Sequence, residues 1–224
     1  MDKQHSQDEG FPVKVAAVIL AAGSATRMGF RPKCLLELNG VSLLRRQGLA
    51  LADAGVQQVV VVLGHYAQRI RQAAPDMPVQ WLTNPDPDAG QASSLRLGLQ
   101  ALLPHADAWL VLLADQPLIE AKDIADLITA YDHKPCHTAL VRPVVDGLPG
   151  NPVMFSTEVR EQILAGAANV GCRQWQTAHP DQVHHWACSN NRYRTDVDTP
   201  EDIAALAART GHQLKWPADL MVTA

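Results

Sequence analysis

Apolar runs of strand length alternate with amphipathic stretches along the first half of the chain. Residues 15–20, 59–63 and 109–114 are nearly unbroken apolar segments, and 79–82 is a shorter one. A strand reads this way when both of its faces are buried. Between these segments apolar positions recur at helical spacing. A helix is predicted over 41–54, with Leu43, Leu44, Leu49 and Leu51 among its apolar positions and Gly55 as its stop; two more are predicted over 66–73, ending before Pro75, and over 92–103. The second half is less regular. Helices are predicted over 119–131, 158–164 and 172–177, and strands over 138–141, 153–155, 183–187 and 195–197. Residues 146–152 read as a hairpin-like Gly/Pro excursion. A last helix is expected over 200–209, with Thr199 as N-cap, Pro200 at the first helical position, and Glu201 and Asp202 in the favoured first turn.

Strands that alternate with helices imply an α/β fold: a mostly parallel, twisted sheet covered by helices on both faces. We expect one domain over 13–209, a flexible N-terminal tail over 1–12 and a C-terminal tail over 210–224. Right-handed crossovers put the C-terminal ends of the strands on one edge, where ligands bind in such sheets. The loops that begin at Ala21, Asn84 and Asp115 each follow a strand and should converge there.

Composition narrows the function. Hydrophobic residues make up 47% of the 224, enough for a sizeable core. Lys plus Arg is 19 against 23 Asp plus Glu, a net charge of −4, with no basic block. That argues against a dedicated nucleic-acid binder and against a polybasic membrane anchor. No apolar stretch approaches the ~20 residues needed to span a bilayer, and residues 1–11 lack the apolar core of a secretory signal, so a cytoplasmic location is expected. Cys34, Cys136, Cys172 and Cys188 are scattered and form no C-x-x-C pair, so neither a zinc site nor a disulfide framework is indicated.

The loop after the first strand runs Leu20-Ala21-Ala22-Gly23-Ser24-Ala25-Thr26-Arg27-Met28-Gly29, then Phe30-Arg31-Pro32-Lys33. Small residues let a backbone approach a ligand, consecutive amides can wrap phosphate oxygens, and Arg27 and Lys33 add positive charge. The loop is neither a Walker A motif nor G-x-G-x-x-G. A tight turn with two solvated cations is the plain alternative. Asp115, at the tip of an apolar strand, is well placed to hold Mg²⁺ against phosphates, though Asp-x-Pro also suits a turn. If 195–197 is a strand, Asp196 and Asp198 share a face and offer further metal ligands. Gln91, Ser93 and Ser94 open a helix and can bond a base or ribose, though capping alone needs only one serine. The loop Gly147-Leu148-Pro149-Gly150-Asn151-Pro152 is constrained, and its composition assigns it no function.

Six ordered segments carry a resemblance: LAAGSATRMGFRPK at 20–33, GQASSLRLGL at 90–99, LLADQP at 112–117, GLPGNPVMF at 147–155, NVGCRQW at 169–175 and DVDTPEDI at 196–203. Together the chain resembles the molybdenum cofactor cytidylyltransferases, within the MobA/MocA-like nucleotidyltransferases, over 13 to about 208. The resemblance implies a single-domain, Rossmann-like nucleotidyltransferase fold. It implies transfer of a nucleoside monophosphate, CMP from CTP first, to the phosphate of a molybdopterin-type acceptor with release of pyrophosphate. By motif, Leu20, Ala21, Ala22, Gly23, Ser24, Arg27, Lys33, Asn84, Gln91, Ser93, Ser94 and Asp115 would hold the nucleotide, and Arg27, Lys33 and Asp115 would serve catalysis. Asp115, Asp198 and Asp196 would bind Mg²⁺. Gly150, Asn151 and Pro152 would face the acceptor. A transient contact with a molybdoenzyme or its chaperone also follows.

The chain departs from the family pattern where G-x-P-G-H-P carries Asn151 in place of His, and Asn cannot titrate near neutrality. Phe30-Arg31-Pro32 is a second departure, with Arg31 expected to face solvent. Three alternatives stand beside the leading reading: a guanylyl- or other nucleotidyltransferase with a different phosphorylated acceptor, an NAD(P)H-dependent reductase, and a non-catalytic cofactor carrier on the same fold.

Overall fold

A computed structural model describes residues 13–102 and 105–221. The expected N-terminal tail and the end of the 92–103 helix at Leu103 lie outside the described residues. In chain order the elements are β1 (Val15–Ala21), β2 (Glu37–Leu38), β3 (Val41–Ser42), α1 (Leu43–Asp53), β4 (Gln58–Leu63), α2 (Ala67–Ala73), β5 (Gln80–Thr83), α3 (Gln91–Ala101) and β6 (Ala108–Leu113). Then come α4 (Ala121–Asp132), β7 (Leu140–Val145), β8 (Leu148–Pro149), β9 (Val153–Ser156), α5 (Thr157–Ala165), α6 (Cys172–Ala178), β10 (Val183–Ala187), α7 (Pro200–Thr210) and β11 (Leu214–Lys215).

The main sheet runs β10-β7-β9-β6-β1-β4-β5, with β8 beside β7. Neighbours are parallel except β9, which is antiparallel to both β6 and β7, and β8, antiparallel to β7. The expected α/β architecture, a mostly parallel sheet covered on both faces, is what the chain adopts. Period-2 alternation explains the unbroken apolar strands. Ala17, Ile19, Val61, Leu63, Leu110 and Leu112 point to one face and pack with Leu44, Ile70, Ile124 and Leu127 of α1, α2 and α4. Ala16, Val18, Val60, Val62, Trp109 and Val111 point to the other and pack with Leu95, Val159, Ile163 and Trp175 of α3, α5 and α6. α3 lies close on the sheet because it carries Gly98: a Cβ there would come 2.6 Å from Val18 Cγ1. Register sets the loops level. Leu20 pairs with Leu113 and Val62, and Leu63 with Thr83, so the segments after β1, β4, β5 and β6 leave the sheet at one edge.

Three expectations change. The helix expected from residue 41 begins at Leu43, with Ser42 accepting from Arg45 N as its N-cap, because Val41 and Ser42 pair with β2. The strand expected over 138–141 instead occupies Leu140–Val145, running through Pro143, whose carbonyl accepts from Gly150 N at 2.8 Å. It then turns at Asp146 and Gly147, both at positive φ (52° and 76°), into the two-residue hairpin that the Asp-Gly pair favours. The strand expected over 195–197 is absent. Residues 195–199 are irregular, joined to β6 by the Val197 N–H bond to Asp115 O (3.0 Å) and closed by the α7 cap.

The region expected to be a C-terminal tail is packed on the domain from Leu214 to Leu220. Leu214 and Lys215 pair with Leu38 and Glu37, and Leu220 is buried in the core. Leu214, Met28, Leu36, Val197 and Leu206 share a small separate core beneath the first loop. Arg31, expected to face solvent, lies with its guanidinium 4.4 Å above the Trp216 ring and donates to Met28 O at 3.1 Å. We expect Trp216→Ala to destabilise the domain by about 1–3 kcal/mol through lost packing and the lost cation–π contact, read as a lower urea midpoint. Among the described residues no helix is long and apolar enough to cross a membrane.

Candidate functional site

The strand-end edge opens into a cleft of about 200 Å³ lined by Leu20, Ala21, Ala22, Gly23, Lys33, Gln91, Ser94 and Asp115, together with Ala25, Pro32, Cys34, Pro87 and Gly90. Eight of the sequence-chosen residues thus meet in one place. The first loop is held open from behind. Tyr66 Oη donates to Ser24 O at 2.9 Å, and the amides of Met28 and Phe30 donate to Ala25 O, both at 3.0 Å. The amides of Gly23, Ser24 and Ala25 have no protein acceptor among the described residues, which leaves a run of donors free to bind an anion. Gly64 lets the loop sit this close to β4: a Cβ there would come 2.4 Å from Ala22 O and 2.8 Å from Pro87 Cβ. Gly64→Ala is therefore expected to displace residues 22–24, lowering stability by about 1–3 kcal/mol and weakening nucleotide binding, checked by denaturation and by titration with CTP.

At the floor of the cleft Lys33 Nζ lies between two carboxylates, 2.8 Å from Asp115 Oδ2 and 2.5 Å from Asp198 Oδ1. Arg27 Nη2 reaches the second oxygen of Asp198 at 3.0 Å. Burial alone would lower the Lys33 pKa, but the charges and hydrogen bonds of Asp115 and Asp198 outweigh it and hold it above the ordinary value. Burial alone would raise Asp198, yet Lys33 and Arg27 hold it below the ordinary range. The backbone of Asp198 is anchored by Asp202, whose Oδ2 accepts from Asp198 N (2.9 Å) and Thr199 N (2.8 Å) while Thr199 Oγ caps α7. A loop fastened at both ends, not a strand, thus delivers Asp198 to Asp115.

Asp196 does not join the pair. It reaches the surface, and the protein around its carboxyl, with Asp115 and Asp198, pushes its pKa up. The expected shared face of Asp196 and Asp198 fails because no strand forms there, and no three His, Cys, Asp or Glu residues group as a metal site among the described residues.

These ion pairs make stability depend on pH with a definite sign. Asp198 is depressed, so its contribution is present above its ordinary value of 3.8 and is lost as pH falls through the lower folded value. Lys33 is raised, so its contribution is present below its ordinary 10.5 and lost as pH rises through the higher folded value. The stability gap between the wild type and Asp198→Asn is expected to be flat from about pH 5 to 9 and to shrink below about pH 4, measured by urea unfolding.

Asn84 and Ser93 serve the scaffold. Buried Asn84 donates from Nδ2 to Ser93 Oγ (2.8 Å) and Ser94 Oγ (2.9 Å), and Ser93 Oγ donates to Gly90 O (2.8 Å). Gln91 and Ser94 remain on the cleft wall.

A second groove of about 810 Å³ shares Leu20, Gly90, Gln91 and Leu113 with the first. It contains Asn151, as the acceptor-loop expectation requires. Gly150 and Pro152 are buried behind it, and the Asn151–Pro152 peptide is cis. Asn151 N donates to Tyr193 O (2.8 Å), and a Cβ on Gly150 would come 2.7 Å from the same oxygen. Gln116, which the sequence did not single out, ties the two clefts: its Nε2 donates to Asn151 O (3.0 Å) and Tyr193 O (3.1 Å). Its position directly after Asp115 was the available signal. Cys34 and Cys172, in the first and second clefts, are pushed up to about 12 by burial and stay protonated, so neither is an activated nucleophile.

A family model described as a MobA-like NTP transferase domain matches residues 17–183. Nicotine blue oxidoreductase of Paenarthrobacter nicotinovorans is 29% identical over 199 residues, which cover 86% of this chain and 96% of that protein. The bifunctional protein GlmU of Mycobacterium ulcerans is 37% identical over 123 residues, 52% of this chain, and the match spans only 25% of GlmU. Among solved structures, a nucleotidyl transferase from Methanothermobacter thermautotroptrophicus superposes with a TM-score of 0.71 at 23% identity, covering 88% of this chain and 97% of that one, a likeness of fold. Rv0371c of Mycobacterium tuberculosis in complex with manganese gives a TM-score of 0.66 at 26% identity, covering 86% and 97%.

Proposed function

The chain belongs to the MobA-like NTP transferase family and is a nucleotidyltransferase, and from that premise we propose that it transfers CMP from CTP to the phosphate of a molybdopterin-type acceptor. The observation that carries this reading is the placement of Lys33 between Asp115 and Asp198 at the mouth of a loop with unpaired amides. In-line transfer to phosphorus needs position and charge neutralisation, not a covalent nucleophile. The acceptor phosphate oxygen attacks the α-phosphorus, the bond from the α-phosphorus to its bridging oxygen breaks, and pyrophosphate leaves with the electron pair. Amides of residues 23–25 and the cations Lys33 and Arg27 face the charge that develops. Gln91 and Ser94 lie where hydrogen bonds to a ribose or base are available, and Asn151 lies toward the acceptor.

A divalent metal suits the donors present. Asp115 Oδ1 is buried with no hydrogen-bond partner, and Asp198 is its acidic neighbour across Lys33. Hard carboxylate oxygens of this number, completed by phosphates and water, are what Mg²⁺ takes. Asp115 and Asp198 would hold it, and bound there it supplies neutralisation of the phosphate charge.

The relative that matches along nearly its whole length bears the name of an oxidoreductase, so a reductase using a nicotinamide nucleotide is the second reading. Pyrophosphate release, measured with each NTP and Mg²⁺, with and without molybdopterin, separates them. Acceptor-dependent release with CTP is expected. Release with GTP instead keeps the reaction and changes the product. No release with any NTP, together with NAD(P)H binding and turnover, selects the reductase.

A further inference from the structure

The second groove holds cations with no acid to meet them. Arg142 in β7 is half-buried; its Nε donates to Gly150 O (3.2 Å) and its Nη1 to Gln176 Oε1 (3.2 Å), so the guanidinium is fixed in orientation. Its Nη2 has no hydrogen-bond partner, and neither Arg142 nor Arg173 has a carboxylate within ion-pair distance, among the described residues. Both arginines line the groove, and His185, across the β7–β10 register from Arg142, lines it too. Burial and the charge of Arg173 both disfavour the Arg142 cation. A half-buried guanidinium held in place by two neutral acceptors beside a second cation still lacks a counter-charge, which an anion supplies.

Position tells which anion. β9 lies between β7 and β6, and Asp115 follows β6. Two strand spacings place Arg142 at least about 10 Å from the strand that leads to Asp115. Lys33 lines the first cleft and Arg142 the second, where Gly150 O and Gln176 Oε1 pin it, so the two cations serve different places. We infer that the groove is an anion subsite for the far, non-reacting end of the acceptor, with Arg142 as its principal donor and Arg173 adding charge. The acceptor class is then a phosphomonoester that carries a second anionic group apart from the phosphate that reacts. This rests on the transferase reading for the reaction, but the subsite itself does not depend on turnover.

The test has two arms. In the first, inorganic phosphate is titrated calorimetrically into the wild type, Arg142→Gln, Arg173→Gln and Lys33→Ala. Two equivalents are expected to bind the wild type, one of them lost or weakened about tenfold in Arg142→Gln and the other in Lys33→Ala. Arg173 is exposed, so Arg173→Gln keeps the question answerable should Arg142→Gln misfold. In the second arm, the KM for molybdopterin rises about tenfold in Arg142→Gln, the KM for CTP stays at its wild-type value, and Arg142→Lys recovers part of the loss. Unchanged phosphate stoichiometry in both arginine variants, or a KM shift for CTP in place of molybdopterin, overturns the subsite. A wild type that shows no turnover with any NTP, yet loses an equivalent of phosphate in Arg142→Gln, keeps the subsite and removes the transferase reading.

Discussion

Lys33→Ala is expected to lower kcat/KM for pyrophosphate release from CTP by about 10²–10³-fold, the loss typical when one well-aimed charged donor is removed. Lys33 is the point at which three separate pieces of the chain meet: the turn that ends the first loop, the tip of β6 at Asp115, and the segment before α7 at Asp198. In the free protein its ammonium balances both carboxylates. Removing it leaves Asp115 and Asp198 facing one another with only Arg27, whose side chain is 65% exposed, as a counter-charge. The variant should therefore be less stable than the wild type at neutral pH, and the difference should narrow in acid as the two carboxyls protonate. Lys33→Arg keeps the charge, but a planar fork does not reproduce a point charge seated between two oxygens, so it is expected to fall between the two. Steady-state kinetics beside a melting curve separates the two effects. A loss of activity that follows only the unfolded fraction, with full kcat/KM for the folded protein, would remove Lys33 from the site.

Much of this arrangement was legible before any coordinates. Buried parallel strands have to be apolar on both faces, so residues 15–20, 59–63 and 109–114 announced the sheet, and the edge to which their loops belong followed from its handedness. Convergence of Ala21–Gly23, Gln91, Ser94 and Asp115 is a consequence of topology and was predictable for that reason. What failed was what depends on long-range contacts. Residues 195–197 alternate as a strand would, but Val197 bonds to Asp115 O and the Thr199 cap draws the chain into α7, so no strand sets Asp196 and Asp198 on one face. Asn84 looked like a ligand residue because it begins a loop at the right edge; its amide is spent on Ser93 and Ser94. The segment after residue 210 has apolar residues but no run of helical or strand period, so no position for it could be predicted. It is held by pairing with β2 and by Trp216 and Leu220, each of which needs a partner far away in the chain. Asn151, the departure from the family pattern, stands in the second groove beside an arginine-bearing strand that composition alone did not connect to it.

Asp115→Asn is expected to abolish nucleotidyl transfer to about 10⁻³ of the wild-type kcat/KM or below, while changing side-chain volume hardly at all. The wild-type carboxylate presents Oδ2 to Lys33 at 2.8 Å and keeps Oδ1 buried without a partner. An amide at this position must turn its oxygen toward the ammonium, because two donors cannot share the contact. Its NH₂ then occupies the buried place of Oδ1, where no protein acceptor waits, at a cost of about 1–3 kcal/mol. The variant loses a negative charge suited to a divalent cation and puts donors where an acceptor stood, so tighter metal or phosphate binding cannot offset the loss. Equilibrium binding of Mg²⁺ should fall with the rate, and Asp115→Glu, longer by one methylene, should restore binding in part but turnover little. The same substitution divides the two enzyme classes. Hydride transfer from a nicotinamide nucleotide requires no carboxylate at the tip of β6, so a reductase would keep most of its kcat/KM in Asp115→Asn. A variant that releases no pyrophosphate but binds molybdopterin as the wild type does points to a transferase whose acceptor groove works independently of Asp115; one that still oxidises NAD(P)H at the wild-type rate would sink the transferase reading.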